Sequence, residues 1–132
     1  MVSQDTSGVP STSATNEAFG FGLAVADLSG DGRAETVVGV PGEYFAAGAY
    51  HRFSGSATGL LTSGSTLTPR SSLTSPMPTG RFGHAIALGD FDGNGLRDIA
   101  AGAPTATVGV TANAGSVLVT YSAPPEVIGL FP

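Results

Sequence analysis

Asp90-Phe91-Asp92-Gly93-Asn94-Gly95-Leu96-Arg97-Asp98 is a nine-residue window with oxygen-bearing side chains at positions 1, 3, 5 and 9 and glycine at position 6. Calcium takes about six to eight hard oxygen ligands at roughly 2.3–2.6 Å. Alternate positions of a tight loop converge on one point, and glycine permits the sharp turn. The carbonyl of Leu96, at position 7, would add a backbone ligand to Asp90, Asp92, Asn94 and Asp98. A second window, Asp27-Leu28-Ser29-Gly30-Asp31-Gly32-Arg33-Ala34-Glu35, repeats the pattern. Its ligand set is Asp27, Ser29, Asp31, the Arg33 carbonyl and Glu35. The expected cofactor is therefore Ca2+, at two sites per chain, with Ser29 and the longer Glu35 making the first site the weaker.

An EF-hand loop opens in the same way but closes with a bidentate Glu at position 12 between two helices. Position 12 here is Val38 in one window and Ala101 in the other, both within apolar runs, so an EF-hand is rejected. A metal-free turn of Asp, Asn and Gly is the competing reading of one window alone. Two windows in register argue against it.

The register extends well beyond the loops. A shift of 63 residues places Phe19-Gly20 on Phe82-Gly83, Asp27 on Asp90, Gly39 on Gly102 and Pro41 on Pro104 without a gap. Farther on, Gly48 to Phe53 matches Gly115 to Thr120 at a shift of 67, which places a four-residue insertion in the Thr105 to Asn113 loop. Loops absorb insertions at little cost. Each copy reads as short strands: Leu23–Ala26 and Ile86–Gly89 run into an Asp, Thr36–Val40 and Ile99–Ala103 stop at a Pro, and Tyr50–Phe53 and Val117–Tyr121 follow a Gly-rich turn. No run has helical spacing. Ala and Gly recurring inside strands point to sheets packed unusually close together.

Composition excludes several function classes. The chain has 132 residues, no Lys, five scattered Arg and no Cys. Nucleic-acid binding needs a basic patch, and disulfides, thiolate metal sites and Cys nucleophiles need Cys. Six of the ten acids fall in the two windows, and the net charge is −5. No apolar run approaches the roughly 20 residues of a membrane helix, and residues 1–16 carry no signal-peptide pattern. Membrane insertion is not expected.

Phe19-Gly20 through Val40-Pro41, and more literally Phe82-Gly83 through Gly102-Ala103-Pro104, resemble FG-GAP repeats; the first copy departs to Gly-Val-Pro at 39–41. Such repeats form the blades of the integrin α-subunit β-propeller and of many bacterial exported proteins. The resemblance implies an all-β fold of four-stranded antiparallel propeller blades, with calcium in the loop joining the first and second strands. It also implies an extracellular or secreted setting. The expected organisation is an N-terminal segment at 1–16, a first blade at 17–79, a second at 80–123 lacking its outer strand, and a tail at 124–132.

Two blades cannot close a ring and would leave apolar faces open. Val2–Asp5 precedes the first Phe-Gly much as Leu67–Arg70 precedes the second, and so reads as an outer strand that completes the second blade of a neighbouring copy. The expected partner is the chain itself, as a cyclic trimer or tetramer of six or eight blades. The function expected of this scaffold is non-catalytic: adhesion or recognition of a protein or glycan ligand. The alternatives are a carbohydrate-binding propeller, for which Tyr44, Phe45 and Tyr50 are the candidate aromatics, and an accessory fragment of a larger exported enzyme. His51 and His84 occupy non-equivalent positions, His84 aligning with Phe21. Asp5, Glu17, Glu43 and Glu126 lack an evident paired partner, so no catalytic residue is assigned.

Overall fold

The computed structural model describes residues 1–70 and 79–123; the 124–132 tail, with Glu126, lies outside them. Two antiparallel sheets follow one another. The first contains β1 (Leu23–Ala26), β2 (Glu35–Val40), β3 (Ala49–Ser56) and β4 (Gly59–Pro69), and the second contains β5 (Ala85–Gly89), β6 (Asp98–Ala103) and β7 (Ser116–Thr120). Strand order is sequential in both. Register agrees between the copies: Ala26 opposes Glu35 as Gly89 opposes Asp98, and Val40 opposes Ala49 as Ala103 opposes Ser116. The first sheet has the four strands expected of a blade, and the second has three among the described residues.

The Phe-Gly and Gly-x-Pro ends of each repeat are hydrogen-bond partners. Gly20 N–H donates to the Gly39 carbonyl and Gly83 N–H to the Gly102 carbonyl, both at 3.1 Å. The turn entering each repeat is also shared: Phe21 N–H donates to Ala18 and His84 N–H to Arg81, at 3.1 Å in each case. Between the sheets, Leu28, Val37 and Tyr50 bury against Phe82, Ile99, Ala101 and Ala103, flanked by Ile86, Leu88 and Leu118. The backbones meet here as well. A Cβ on Gly39 would run into the Gly83 carbonyl oxygen, so only glycine fits.

The N-terminal segment differs from the expected strand. Residues 2–5 form no strand here; Thr6 N–H bonds the Ser3 carbonyl and Val9 N–H the Thr6 carbonyl, closing successive turns. The segment lies on its own sheet, Ser65 Oγ donating to the Gly8 carbonyl at 3.1 Å. Buried Gln4 donates through Nε2 to Glu43 Oε2 at 2.6 Å, and Ser11 Oγ donates to Glu43 Oε1 at 3.2 Å. A buried carboxyl left without partners is costly, so the bonds from Gln4 and Ser11 tie the segment to Glu43. The three described acids outside the loops thus have structural partners, Asp5 accepting from Ser13 N–H and Glu17 from Ala14 N–H.

The β2–β3 connection also departs from an all-strand reading. Glu43–Ala46 makes one helical turn in which Tyr44 (φ 51°, ψ 55°) and Phe45 (φ 56°, ψ 45°) are left-handed. His51, also predicted to lie in a strand, sits on β3 with its ring centroid 5.4 Å from that of Phe19 and 6.0 Å from that of Phe53. Among the described residues neither ring nitrogen has a hydrogen-bond partner, and burial pushes the imidazole pKa down to about 4. A neutral native His51 means that the unfolded chain takes up a proton the folded chain refuses below about pH 6.5. Stability therefore falls as pH drops from 6.5 towards 4, by roughly 3 kcal/mol at most. His51→Leu, which installs the residue found at the equivalent Leu118, should flatten denaturant-melt stability across that window, and NMR titration should place the wild-type midpoint near 4.

Candidate metal centre

Both acidic windows form the tight loop between the first two strands of their sheet. Asp27 and Asp90 follow β1 and β5, and Glu35 and Asp98 open β2 and β6. Asp27 accepts from Gly30 N–H through one oxygen and from Gly32 N–H through the other, each at 2.8 Å. Asp90 accepts from Gly93 and Gly95 N–H, also at 2.8 Å. Four glycines with closely matched positive φ (78°, 83°, 77° and 90°) make this possible. The Gly32 amide holds the Asp27 carboxyl below its ordinary range against partial desolvation, and the Gly95 amide does the same for Asp90. Both are therefore anionic at neutral pH.

Position 9 carries the buried carboxylate. Glu35 Oε2 accepts from Leu28 N–H at 2.6 Å and Ser29 N–H at 3.0 Å. Asp98 Oδ2 accepts from Phe91 N–H at 2.7 Å. At position 5, Asp31 accepts from Arg33 N–H at 2.8 Å and Asn94 Oδ1 from Leu96 N–H at 2.9 Å, so the predicted carbonyl donors Arg33 and Leu96 start from the same local turn. Ser29 Oγ donates to Glu35 Oε1 at 3.3 Å, and Asp92 accepts from Asn94 N–H at 3.1 Å.

Asp27, Asp31 and Glu35 bring one carboxylate oxygen each within 4.8 Å of one another, as do Asp90, Asp92 and Asp98. Two ligands of one calcium ion lie at most about 5.2 Å apart. The oxygen-only donor sets and their spread therefore fit a hard divalent cation, and three like charges this close are costly without one.

Ser122 supports the second loop and was missed from sequence. Its N–H donates to Asp98 Oδ1 at 2.8 Å, its Oγ to the Arg97 carbonyl at 2.7 Å, and its carbonyl accepts from Asn94 Nδ2 at 2.8 Å. The equivalent in the first repeat is Gly55, where a Cβ would run into the Ala34 carbonyl oxygen. The 67-residue offset could have pointed to the position, but not to a serine acting there. The two loops lie side by side, with a cavity of about 360 Å³ between Leu28, Ser29, Arg52, Leu96 and Ser122.

The FG-GAP repeat family model matches residues 19–58 and 82–120. The chain belongs to the FG-GAP repeat family. The matched segments contain β1 to β3 and β5 to β7 with their acidic loops, and β4 lies outside them. The chain is 37% identical over 107 residues to the phosphatidylinositol-glycan-specific phospholipase D of Mus musculus, a match covering 78% of the chain and 13% of the relative. The Rattus norvegicus protein of that name is 38% identical over 109 residues, again 78% of the chain and 13% of the relative. The Homo sapiens protein is 34% identical over 93 residues, covering 66% and 11%. The chain thus spans only a small part of the length of these relatives.

Gly95 tests the loop geometry because its Cβ would meet nothing within 4 Å among the described residues, leaving only the left-handed backbone to resist a side chain. Gly95→Ala should cost about 1–2 kcal/mol in chemical denaturation. Gly95→Asn should cost less, because Asn tolerates this conformation.

Proposed function

We propose that this FG-GAP chain is a non-catalytic, calcium-stabilised β-propeller segment of a secreted protein, serving as a rigid scaffold for ligand recognition. The observation that carries the reading is the matched pair of oxygen cages, closed by the same glycine amides in the same register. In each, three carboxylates, a Ser or Asn side chain and a position-7 carbonyl would hold the ion. The ion would neutralise the cluster and pin the corner between two strands.

The non-catalytic reading is supported by the remaining titratable groups. Glu43 is held by Gln4 and Ser11, with burial and then the neighbouring Glu17 pushing its carboxyl up. His51 has a closed aromatic environment. The phospholipase D relatives favour a second reading compatible with the first: the chain is an accessory propeller portion of a larger exported enzyme whose chemistry lies elsewhere. Among the described residues, no helix is long and apolar enough to cross a membrane.

Recognition is assigned to the end of the first sheet opposite its metal loop. There Phe45 is 98% exposed on the left-handed turn, beside a cavity of about 300 Å³ lined by Thr15, Glu17, Glu43 and Tyr44. Non-glycine residues held left-handed cost about 1–3 kcal/mol each and concentrate at functional sites. An exposed aromatic beside carboxylate acceptors also suits a sugar, which is the carbohydrate-binding alternative. A glycan-array signal abolished by Tyr44→Ala would select that alternative; an array without signal would leave a non-glycan ligand.

The calcium reading predicts a melting temperature that rises with added calcium and falls with chelator. Stabilisation should be about 2.7 kcal/mol per site at a hundredfold excess over Kd. Asp90→Ala should remove most of one site's share and Ser29→Ala little, since only the former removes a charged ligand. A melting curve unmoved by calcium or chelator would reject the reading.

A further inference from the structure

Asn94-Gly95 is the one place in the chain where an asparagine precedes a glycine; Asn16 precedes Glu17 and Asn113 precedes Ala114. The side-chain amide of an asparagine is open to attack by the backbone nitrogen of the next residue, which closes a cyclic imide. The attack is easiest before glycine, where no side chain crowds the nitrogen and the backbone is free to turn. Asn94 and Gly95 are both exposed at the tip of the second acidic loop.

The folded loop holds each participant away from this reaction. Gly95 N–H donates to Asp90 Oδ2 at 2.8 Å, so the nitrogen that must give up its proton keeps it against a carboxylate. Removing that proton would set two negative charges side by side. The amide that must turn towards Gly95 is pinned at both ends: Asn94 Oδ1 accepts from Leu96 N–H at 2.9 Å, and Nδ2 donates to the Ser122 carbonyl at 2.8 Å. Ser122 is itself tied down, through its N–H to Asp98 Oδ1 and its Oγ to the Arg97 carbonyl. Attack therefore requires a local opening in which the Asp90 and Ser122 bonds are lost together.

We propose that Asn94 is a modification site, converted to aspartate or isoaspartate when the second loop opens, and that Ser122 sets how often it opens. In the first step Gly95 N loses its proton to a base in solution and bonds Asn94 Cγ. The Cγ–Nδ2 bond breaks, and the amide nitrogen takes up a proton and leaves as ammonia. Water then opens the imide. Cleavage of the new Cγ–N bond gives aspartate, and cleavage at the main-chain carbonyl gives isoaspartate.

Neither product keeps the latch. Aspartate adds a carboxylate beside Asp90, Asp92 and Asp98 and turns an acceptor on the Ser122 carbonyl where Nδ2 donated. Isoaspartate routes the main chain through the side-chain carbon, which lengthens it by a methylene and shifts Leu96 and Asp98 relative to Asp90. The first loop has Asp31 at this position and no amide to lose, so modification ages the second loop alone.

Peptide mass spectrometry on protein held in warm neutral buffer tests the proposal. Cleavage after Arg81 and Arg97 releases residues 82–97, in which Asn94 is the sole side-chain amide. In urea, Asn94 should convert several-fold faster than Asn16 and Asn113, and Gly95→Ala should bring it down to their rate. In the folded chain conversion should be slower than in urea. Ser122→Ala should speed it about fivefold, the effect of one hydrogen bond on an opening equilibrium, while Ser122→Thr, which keeps the hydroxyl, should stay at the wild-type rate. Conversion in urea no faster than at the other two asparagines, conversion as fast folded as unfolded, or a rate unmoved by Ser122→Ala would overturn the proposal. No ion is needed for it. Calcium should slow the folded chain further, and conversion that responds to Ser122→Ala but not to calcium would count against the metal reading alone.

Discussion

A close backbone approach between the repeats governs the rest of the structure. Gly83 lies against Gly39 with no room for a side chain at the latter, and the same Gly39 accepts from Gly20 within its own repeat. Every side chain between the sheets must fit the separation this imposes. Ala101, Ala103 and Ala106 of the second repeat keep the contact close, with Ile86, Leu88, Ile99 and Leu118 around them, while Phe82 and Tyr50 fill the space beside it. Tyr50 also reaches across to Thr120, its Oη 3.4 Å from Oγ1. Close packing of this kind makes a rigid frame because almost any rearrangement opens a void or a clash.

Rigidity at the centre gives the two ends of each sheet different roles. At one end the β1–β2 and β5–β6 loops gather carboxylates whose shape is set largely by backbone amides. The amides satisfy Asp27 and Asp90, while Glu35 and Asp98 are anchored at the strand edge. At the other end of the first sheet, the β2–β3 turn holds Tyr44 and Phe45 in left-handed backbone, supported by a buried carboxylate that ties in Gln4. The ordered frame absorbs the strain of that turn, as expected when loops carry recognition and strands carry stability.

Much of this was legible in the residues. The Asp and Gly spacing fixed both loops, because their geometry is local and glycine is the residue that left-handed positions demand. The Phe-Gly and Gly-x-Pro pairs marked strand ends, because their partners recur at one offset. Three features were not legible. Ser122 acts on Asn94 from 28 residues away, and no spacing rule joins a serine after a third strand to a loop after a first. Gln4 reaches Glu43 across 39 positions, which is why residues 2–5 read as a strand when they turn instead. The Tyr44–Ala46 turn uses residues that ordinarily avoid positive φ, so its composition gave no sign of it.

The Gly39 groove also has a consequence in time. Its occupant, Phe82-Gly83, lies more than 40 residues downstream. A ribosome releases the chain from its N-terminus, at about 5–20 residues per second, so the first sheet spends seconds with its inner face uncovered. The first repeat is finished by the one translated after it, so assembly has a direction, running from N- to C-terminus like a zip whose slider is the second Phe-Gly.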